Sequence, residues 1–212
     1  MEIIQFNEPL LVEELERLPA PLRLVFATAS AERLVPAYRR FSQRTGRGDA
    51  VTLTALLERL WSDVLGDKMN ARQIQENIDT AMRLIPQEDG LLWAPEQASA
   101  EDAAAAVAYA LRCRQNHQAQ EAAWAARRAY EALDHYIIGQ QGIDLNVPGA
   151  EERVLSHPLV QAELLRQRRD VEELMGTNPQ DPAAVVQRLL QRAKAEAEFV
   201  FGPIARIDPR NR

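Results

Sequence analysis

Apolar residues recur along this chain with the period of an α-helix. In the segment 53–65, leucines, a tryptophan and a valine follow the i, i+3, i+4, i+7, i+8 spacing of one helical face. The same period predicts further helices over residues 70–85, about 99–114, about 118–138, 158–176 and 182–200. No segment shows convincingly the alternation that is typical of a half-buried β-strand.

The longest apolar stripe belongs to the first predicted helix, which runs from about Pro21 to Thr45. Its inward-facing positions are Leu24, Thr28, Ala31, Val35 and Tyr38. Pro36 lies within this stripe, where a proline removes one backbone hydrogen bond and crowds the preceding turn. We therefore predict a long N-terminal helix that is kinked at Pro36 and ends at Gly46.

Two long connections, residues 86–99 and 139–156, interrupt the otherwise short loops. No segment has the composition of an interdomain linker, and no internal repeat occurs at a fixed period. The predicted fold is therefore all-α, a compact bundle of about seven to eight helices. We expect a single domain over residues 1–207, followed by a frayed tail over residues 208–212.

Polar and glycine residues indicate where several of these helices begin and end. Asn70 is predicted to cap the helix that starts beside it. Ser99 together with Asp102 resembles a capping pair for the helix after the first long connection. Gly139 is predicted to end the helix before the second long connection.

Composition and charge argue against several classes of function. The chain of 212 residues is 46% hydrophobic and 26% charged, which is ordinary for a folded protein. Its net charge of −6 disfavours nucleic-acid binding, which needs a basic face. No apolar segment approaches the ~20 residues that span a bilayer, and the N-terminus lacks the features of a signal peptide. We expect a cytoplasmic bacterial protein that contacts neither nucleic acid nor membrane.

Few residues in the sequence are candidates for holding a metal ion or cofactor. No histidine has a glutamate at the three-residue spacing of di-iron helical bundles. Glu131 and His135 are four residues apart and could share a face, although a structural or surface pair explains them equally well. The lone Cys113 excludes a thiolate zinc site and an intrachain disulfide. Neighbouring arginines could lower its pKa, but we expect a buried helical residue.

The sequence also lacks the motifs of common enzyme families. It contains no phosphate-binding glycine loop, no dinucleotide fingerprint and no serine-nucleophile elbow. We therefore assign no cofactor, no metal ion and no catalytic residue from sequence.

One segment, ERLVPAYRRFSQRTGRGD at residues 32–49, is followed at 56–65 by LLERLWSDVL. Together they resemble the N-terminal signature of the YjaG-like family of bacterial proteins of unknown function, domain-of-unknown-function family 416. The resemblance extends over roughly residues 8–175. It implies an all-α fold and a bacterial cytosolic origin, and it implies no catalytic residue. Family members end with a Ser-Asn-Ile-Gly type tail, whereas this chain has FGPIARI.

Most of residues 32–49 have local structural explanations. Tyr38 and Phe41 are expected to pack inward, and Gly46 and Gly48 are expected to allow the chain to turn. Asp49 or Thr52 can cap the next helix.

Glu32 and Arg33 are less easily explained. Neighbouring helical positions point about 100° apart, so at most one of the two faces the centre of the core. We predict that Glu32 is partly buried beside an arginine partner, in a structural ion pair rather than as an active carboxylate.

Two hypotheses for the function remain open. The favoured one is a non-enzymatic protein-interaction or regulatory domain, which binds another protein or itself through the two long connections. Trp93, on the first connection, is then either a contact residue or an anchor folded onto the core. The alternative is a small-ligand binder or an enzyme that uses Glu32, Arg33 and Tyr38 in a cleft near the Pro36 kink.

Overall fold

The computed structural model describes residues 3–87, 96–177 and 182–201, apart from the side chains of 182 and 198–201. These residues form ten helices and no strand: α1 (Glu8–Glu16), α2 (Ala20–Glu32), α3 (Val35–Thr45), α4 (Ala50–Val64), α5 (Ala71–Leu84), α6 (Gln97–Asn116), α7 (Ala119–Gln141), α8 (Ala150–Leu155), α9 (Pro158–Met175) and α10 (Pro182–Phe201). The predicted all-α bundle is confirmed.

The helices beyond the predicted seven to eight have identifiable origins. The hydrophobic pattern of the sequence did not predict α1 or the short helix α8. The predicted long helix is also divided into α2 and α3. Pro36 lies in the first turn of α3 and has no N–H to donate to the carbonyl four residues earlier, which is that of Glu32. Because the proline ring would also clash with that carbonyl, α2 ends at Glu32.

The centre of the fold is the antiparallel pair α6 and α7, which share the most extensive contact in the molecule. Both helices are rich in buried alanines: Ala100, Ala103, Ala104, Ala106, Ala108 and Ala110 on α6, and Ala119, Ala122, Ala123, Ala125, Ala126, Ala129 and Ala132 on α7. Small side chains let two helix backbones approach closely. Helix α2 packs across both, and its residues 24–31 are buried without interruption.

Three of the predicted helix ends are confirmed. Asn70 forms a capping box with Gln73 at the start of α5. The Oδ1 atom of Asp49 accepts a hydrogen bond from the Thr52 N–H at 2.9 Å, which caps α4. Gly46 follows α3 with a left-handed φ of 68°, as a C-terminal glycine cap requires.

Two other predicted helix ends are wrong. Helix α6 begins at Gln97 rather than at a Ser99–Asp102 cap, since the Ser99 hydroxyl donates instead to the carbonyl of Ala132 on α7 at 3.1 Å. Helix α7 passes through Gly139 and ends at Gln141, where Gly142 takes the left-handed conformation. An interior glycine destabilises a helix by only about 1 kcal/mol relative to alanine, which tertiary packing can offset.

Several sequence-based expectations fall on residues outside the described ranges. They concern Trp93, most of the first long connection and the tail at 208–212. In the part of the chain that the structure describes, no helix combines the length and apolar character that crossing a membrane requires.

Candidate functional site

The break between α2 and α3 sends two neighbouring side chains into different surroundings. Arg33 points into the core and is 2% exposed. Its Nε and a terminal nitrogen donate to Glu163 Oε1 at 3.2 and 3.0 Å, and the other terminal nitrogen donates to Asp170 Oδ2 at 2.9 Å. Burial alone would lower the pKa of Arg33, but the charges of Glu163 and Asp170 outweigh burial and raise it. Arg33 therefore lies in a network without access to solvent.

Other side chains extend this network between helices. Gln167 donates to Glu163 Oε1 at 3.0 Å and to the carbonyl of Ala126 on α7 at 3.0 Å. Arg192 on α10 donates to Asp170 Oδ1 at 2.6 Å. Buried carboxylates need such partners because burying an unpaired charge is strongly unfavourable. The network thus joins α2, α7, α9 and α10.

Glu32, in contrast, is half-buried at the end of α2. Its Oε2 atom accepts a hydrogen bond from the Trp61 Nε1–H on α4 at 2.8 Å. Burial raises the pKa of Glu32, while the bond from Trp61 and the positive charge of Lys194 oppose this rise. The charge of Arg39, which lines the same side of the fold, also lowers the pKa of Glu32, and the hydrogen bond to the carboxylate comes from the Trp61 indole.

Beside Glu32 lies a pocket with a volume of about 160 Å³, which we call the Glu32 pocket. It opens where the end of α2 and the start of α3 meet α4 and α10. Its lining consists of Glu32, Val35, Pro36, Arg39, Thr54, Leu57, Glu58, Lys194 and Ala197.

Tyr38 does not line the Glu32 pocket. Its side chain is fully buried, and its hydroxyl donates to the carbonyl of Leu84 at 2.7 Å. The ring of Tyr38 contacts that of Phe41 at a centroid distance of 6.1 Å. The structure therefore does not bring Glu32, Arg33 and Tyr38 together in one cleft.

A larger concave surface lies between the N-terminal segment 3–8, α7, Leu145 and α8. It has a volume of about 840 Å³, and we call it the acidic groove. Its lining consists of Ile3, Gln5, Phe6, Glu8, Arg127, Tyr130, Glu131, Asp134, Ile138, Leu145, Glu151, Glu152, Val154 and Leu155.

Specific hydrogen bonds fix the walls of the acidic groove. The Gln161 side chain on α9 accepts from the Ile4 N–H at 2.9 Å and donates to the Ile4 carbonyl at 2.9 Å and to that of Leu155 at 2.8 Å. One side chain therefore holds the N-terminal segment against the end of α8. Gly149, with a φ of 79°, allows the turn that starts α8.

The groove has an aromatic floor. The rings of Phe6 and Tyr130 stack at a centroid distance of 5.5 Å and are nearly parallel. Burial, and then the charge of Asp134, raises the pKa of Tyr130 to about 12. Burial also raises the pKa of Asp134, and a hydrogen bond with Tyr130 opposes this rise.

The described residues that line the groove carry net negative charge, since they include five carboxylates and one guanidinium, that of Arg127. Arg127 contacts Glu131 at 2.7 Å and Glu8 at 3.3 Å, so these two carboxylates are partly neutralised. Glu151 and Glu152, on the exposed side of α8, make no ion pair with any described residue. They leave one wall with unneutralised negative charge.

Sequence reasoning missed the acidic groove, although part of its pattern was visible. Tyr130, Asp134 and Ile138 follow one another at four-residue intervals on one face of α7. The opposite walls come from the N-terminal segment and α8, which no periodicity marked. Of the two long connections predicted as interaction surfaces, the second contributes residues to this groove.

Glu131 and His135, which the sequence analysis considered as a metal or structural pair, each contact other residues. His135 Nδ1 lies 2.9 Å from Oδ2 of the buried Asp102, which also contacts Arg128 at 3.0 Å. Glu131 contacts Arg127 and Arg128. Within the described ranges, no group of three or more histidine, cysteine, aspartate or glutamate residues is placed to hold a metal ion.

The fold and these sites define a helical-bundle protein with a buried arginine network, the Glu32 pocket and the acidic groove. The chain belongs to the family "Protein of unknown function (DUF416)", whose sequence profile matches residues 11–198. This confirms the family resemblance seen in the sequence. The structure is similar to the crystal structure, at 1.91 Å resolution, of a DUF416 family protein from Shewanella baltica OS155. The TM-score is 0.73 at 24% identity, covering 86% of this chain and 92% of the other, which supports the fold. No curated protein matches the chain.

Proposed function

We propose that this protein is a non-enzymatic protein-interaction domain whose acidic groove binds a basic, amphipathic segment of a partner protein. The observation that carries this proposal is the combination of an aromatic floor and excess carboxylates in one groove. A ligand complementary to it needs positive charge and apolar surface together.

The apolar part of the groove fits the hydrophobic side of such a segment. Ile3 and Leu145 line the groove and are 43% and 51% exposed. Covering exposed aliphatic side chains releases about 25 cal/mol per Å² of buried apolar surface. An amphipathic helix or extended peptide would cover both residues while its cations reach the rim.

The charged part of the groove selects for arginine or lysine. Glu151 and Glu152 are exposed and unpaired among the described residues, so a cation approaching them displaces no existing partner. A guanidinium could also stack on the face of Tyr130, which stabilises by about 0.5–1 kcal/mol at exposed sites. Opposite charges across an interface raise association rates and make them sensitive to salt.

The alternative hypothesis required Glu32, Arg33 and Tyr38 to act on one ligand. Arg33 is buried in the network with Glu163, and Tyr38 is buried against Phe41. Of the three, Glu32 is the one that lines the Glu32 pocket.

A binding measurement with a defined peptide tests the proposal. The probe is a fluorescein-labelled helical peptide with leucine and arginine on opposite faces, and the control peptide carries glutamate in place of arginine. We expect the arginine peptide to bind, with an affinity that falls as salt increases. Glu151→Lys/Glu152→Lys should weaken binding by at least about tenfold.

A matched variant distinguishes an effect of the groove residues on peptide binding from an effect of the net charge of the protein. Glu16→Lys/Asp79→Lys makes the same change in net charge at exposed helical positions outside the groove. It should leave the affinity within about twofold of the original. Equal binding of the glutamate peptide, or equal losses in both double variants, would refute groove docking. Self-association, measured by light scattering and abolished by the groove variant, would instead identify a second copy as the occupant.

The first long connection, which carries Trp93, remains a predicted contact surface. Trp93→Ala should weaken a partner complex without lowering the unfolding temperature if the indole is a contact residue. Equal losses of binding and stability would indicate a core anchor instead.

A further inference from the structure

We infer that the Glu32 pocket is a binding site for a small zwitterion, a molecule of free amino-acid size that carries an ammonium group and a carboxylate. This site is separate from the acidic groove, and the two sets of lining residues have no member in common.

The size of the pocket limits its ligand. Its volume of about 160 Å³ is close to that of an engineered cavity of about 150 Å³ that holds benzene. A whole peptide or nucleotide would extend beyond this volume. Val35, Pro36, Leu57 and Ala197 give the pocket an apolar side, which suits a short aliphatic group.

Glu32 is positioned to accept the ammonium group. The Trp61 indole holds Oε2 at 2.8 Å and thereby fixes the carboxylate at the end of α2. The other oxygen, Oε1, accepts no hydrogen bond from any residue in the described ranges, and it is not buried. A ligand N–H donor can therefore reach a carboxylate oxygen that already has a fixed direction.

Lys194 supplies the complementary positive charge. It lies on α10 and lines the same pocket, and within the described ranges it forms no ion pair. Its charge is close enough to lower the pKa of Glu32, yet the two groups do not contact each other. A zwitterion between them would contact both, with its ammonium group at Glu32 and its carboxylate at Lys194.

Two further charged residues, Arg39 and Glu58, line the pocket. Arg39 contacts the Thr54 hydroxyl at 3.4 Å, and Glu58 is exposed on α4. Among the described residues, the lining thus contains two carboxylates and two cations. A ligand that carries both a positive and a negative group can contact charges of each sign.

The test uses isothermal titration calorimetry with the complete protein. The probes are the proteinogenic amino acids, each compared at millimolar concentration with the amine and the carboxylic acid that carry the same side chain. We expect at least one amino acid to bind, and its amine and acid analogues to bind at least about tenfold more weakly. The inference would be overturned if no amino acid binds, or if the amine or carboxylic-acid analogue binds as tightly as its amino acid.

Conservative variants separate ligand binding from structure. Glu32→Gln retains an oxygen that accepts the Trp61 hydrogen bond but loses the charge, and Lys194→Gln removes the cation. Each should lower the affinity at least about tenfold without changing the unfolding midpoint. Glu16→Gln, at an exposed position on α1, is the control and should bind normally. Unchanged affinity in Glu32→Gln would refute the site, whatever the result with the groove peptide.

Discussion

Arg33 and Glu163 are 130 residues apart in sequence, yet their guanidinium and carboxylate groups lie 3.0 Å apart in the interior. Each side chain is only 3% exposed. Asp170, equally buried, contacts the same guanidinium at 2.9 Å. Removal of the arginine takes the nearest cation from Glu163, whose next arginine, Arg166, lies 3.6 Å away, while Asp170 keeps its contact with Arg192.

We predict that Arg33→Met strongly destabilises the protein. Breaking a buried ion pair from one side costs about 3–5 kcal/mol, because the remaining charge is left buried and uncompensated. Urea denaturation measures the change in the free energy of unfolding. Arg168→Met is the control, since Arg168 pairs with Glu172 on the exposed side of α9. An exposed pair contributes about 0–1 kcal/mol. Similar losses in both variants would contradict a structural role for the buried network.

Two glycines after α3 provide a matched pair for a second prediction. Gly46 and Gly48 have φ values of 68° and 73°. The Cβ of an alanine in place of Gly46 would have no atom within 4 Å. The Cβ of an alanine in place of Gly48 would lie 2.8 Å from the Tyr38 hydroxyl oxygen. Gly46→Ala should therefore lower the free energy of unfolding only by the cost of holding an alanine in the left-handed conformation, about 1–2 kcal/mol.

Gly48→Ala should lower the free energy of unfolding by the same conformational cost. It should also break the hydrogen bond from the Tyr38 hydroxyl to the Leu84 carbonyl, which costs about 1–3 kcal/mol more. Thermal or urea unfolding compares the two variants. In a Tyr38→Phe background the extra loss at Gly48 should shrink, since the hydroxyl is absent. Equal losses at Gly46 and Gly48 in the original background would contradict this contact.

Much of the fold could be predicted because its elements are locally encoded. The 3.6-residue period placed α4 and α5, and Asn70 and Gly46 marked helix ends through local hydrogen bonding and backbone freedom. Ser99 misled the prediction because its hydroxyl bonds to Ala132, 33 residues away. Tertiary contacts of this kind override a local capping pattern.

The sites were harder to predict because their walls come from distant segments. The partners of Arg33 lie on α9, and no local pattern indicates that a buried arginine requires them. Glu32 was correctly placed beside the apolar stripe and is half-buried, but its partner, Trp61, comes from a separate helix. Adjacent residues can also face opposite environments when a helix breaks between them, as α2 does before Pro36.

We predict that Cys113 is unreactive in the native protein. The thiol is fully buried, and burial, followed by the charge of Glu121, raises its pKa to about 12. At about pH 8 the native thiol should therefore react with iodoacetamide at least about a hundredfold more slowly than the urea-unfolded chain. Mass spectrometry of timed samples gives both rates. Comparable rates would show that the thiol opens to solvent without global unfolding.

The last prediction concerns His135 and Asp102. The hydrogen bond that His135 donates to Asp102 raises the pKa of His135 above its ordinary value, and burial opposes this rise. A histidine whose pKa is raised by folding stabilises the native state fully below its unfolded pKa and loses this effect as pH rises through the folded pKa. The stability difference between the original protein and His135→Gln should therefore be larger at about pH 5.5 than at about pH 9. Asp102→Asn should lower the His135 pKa measured by NMR titration, because Asp102 is the largest cause of the rise. A stability difference that does not vary with pH, together with an unchanged titration in Asp102→Asn, would contradict the coupling of these two residues.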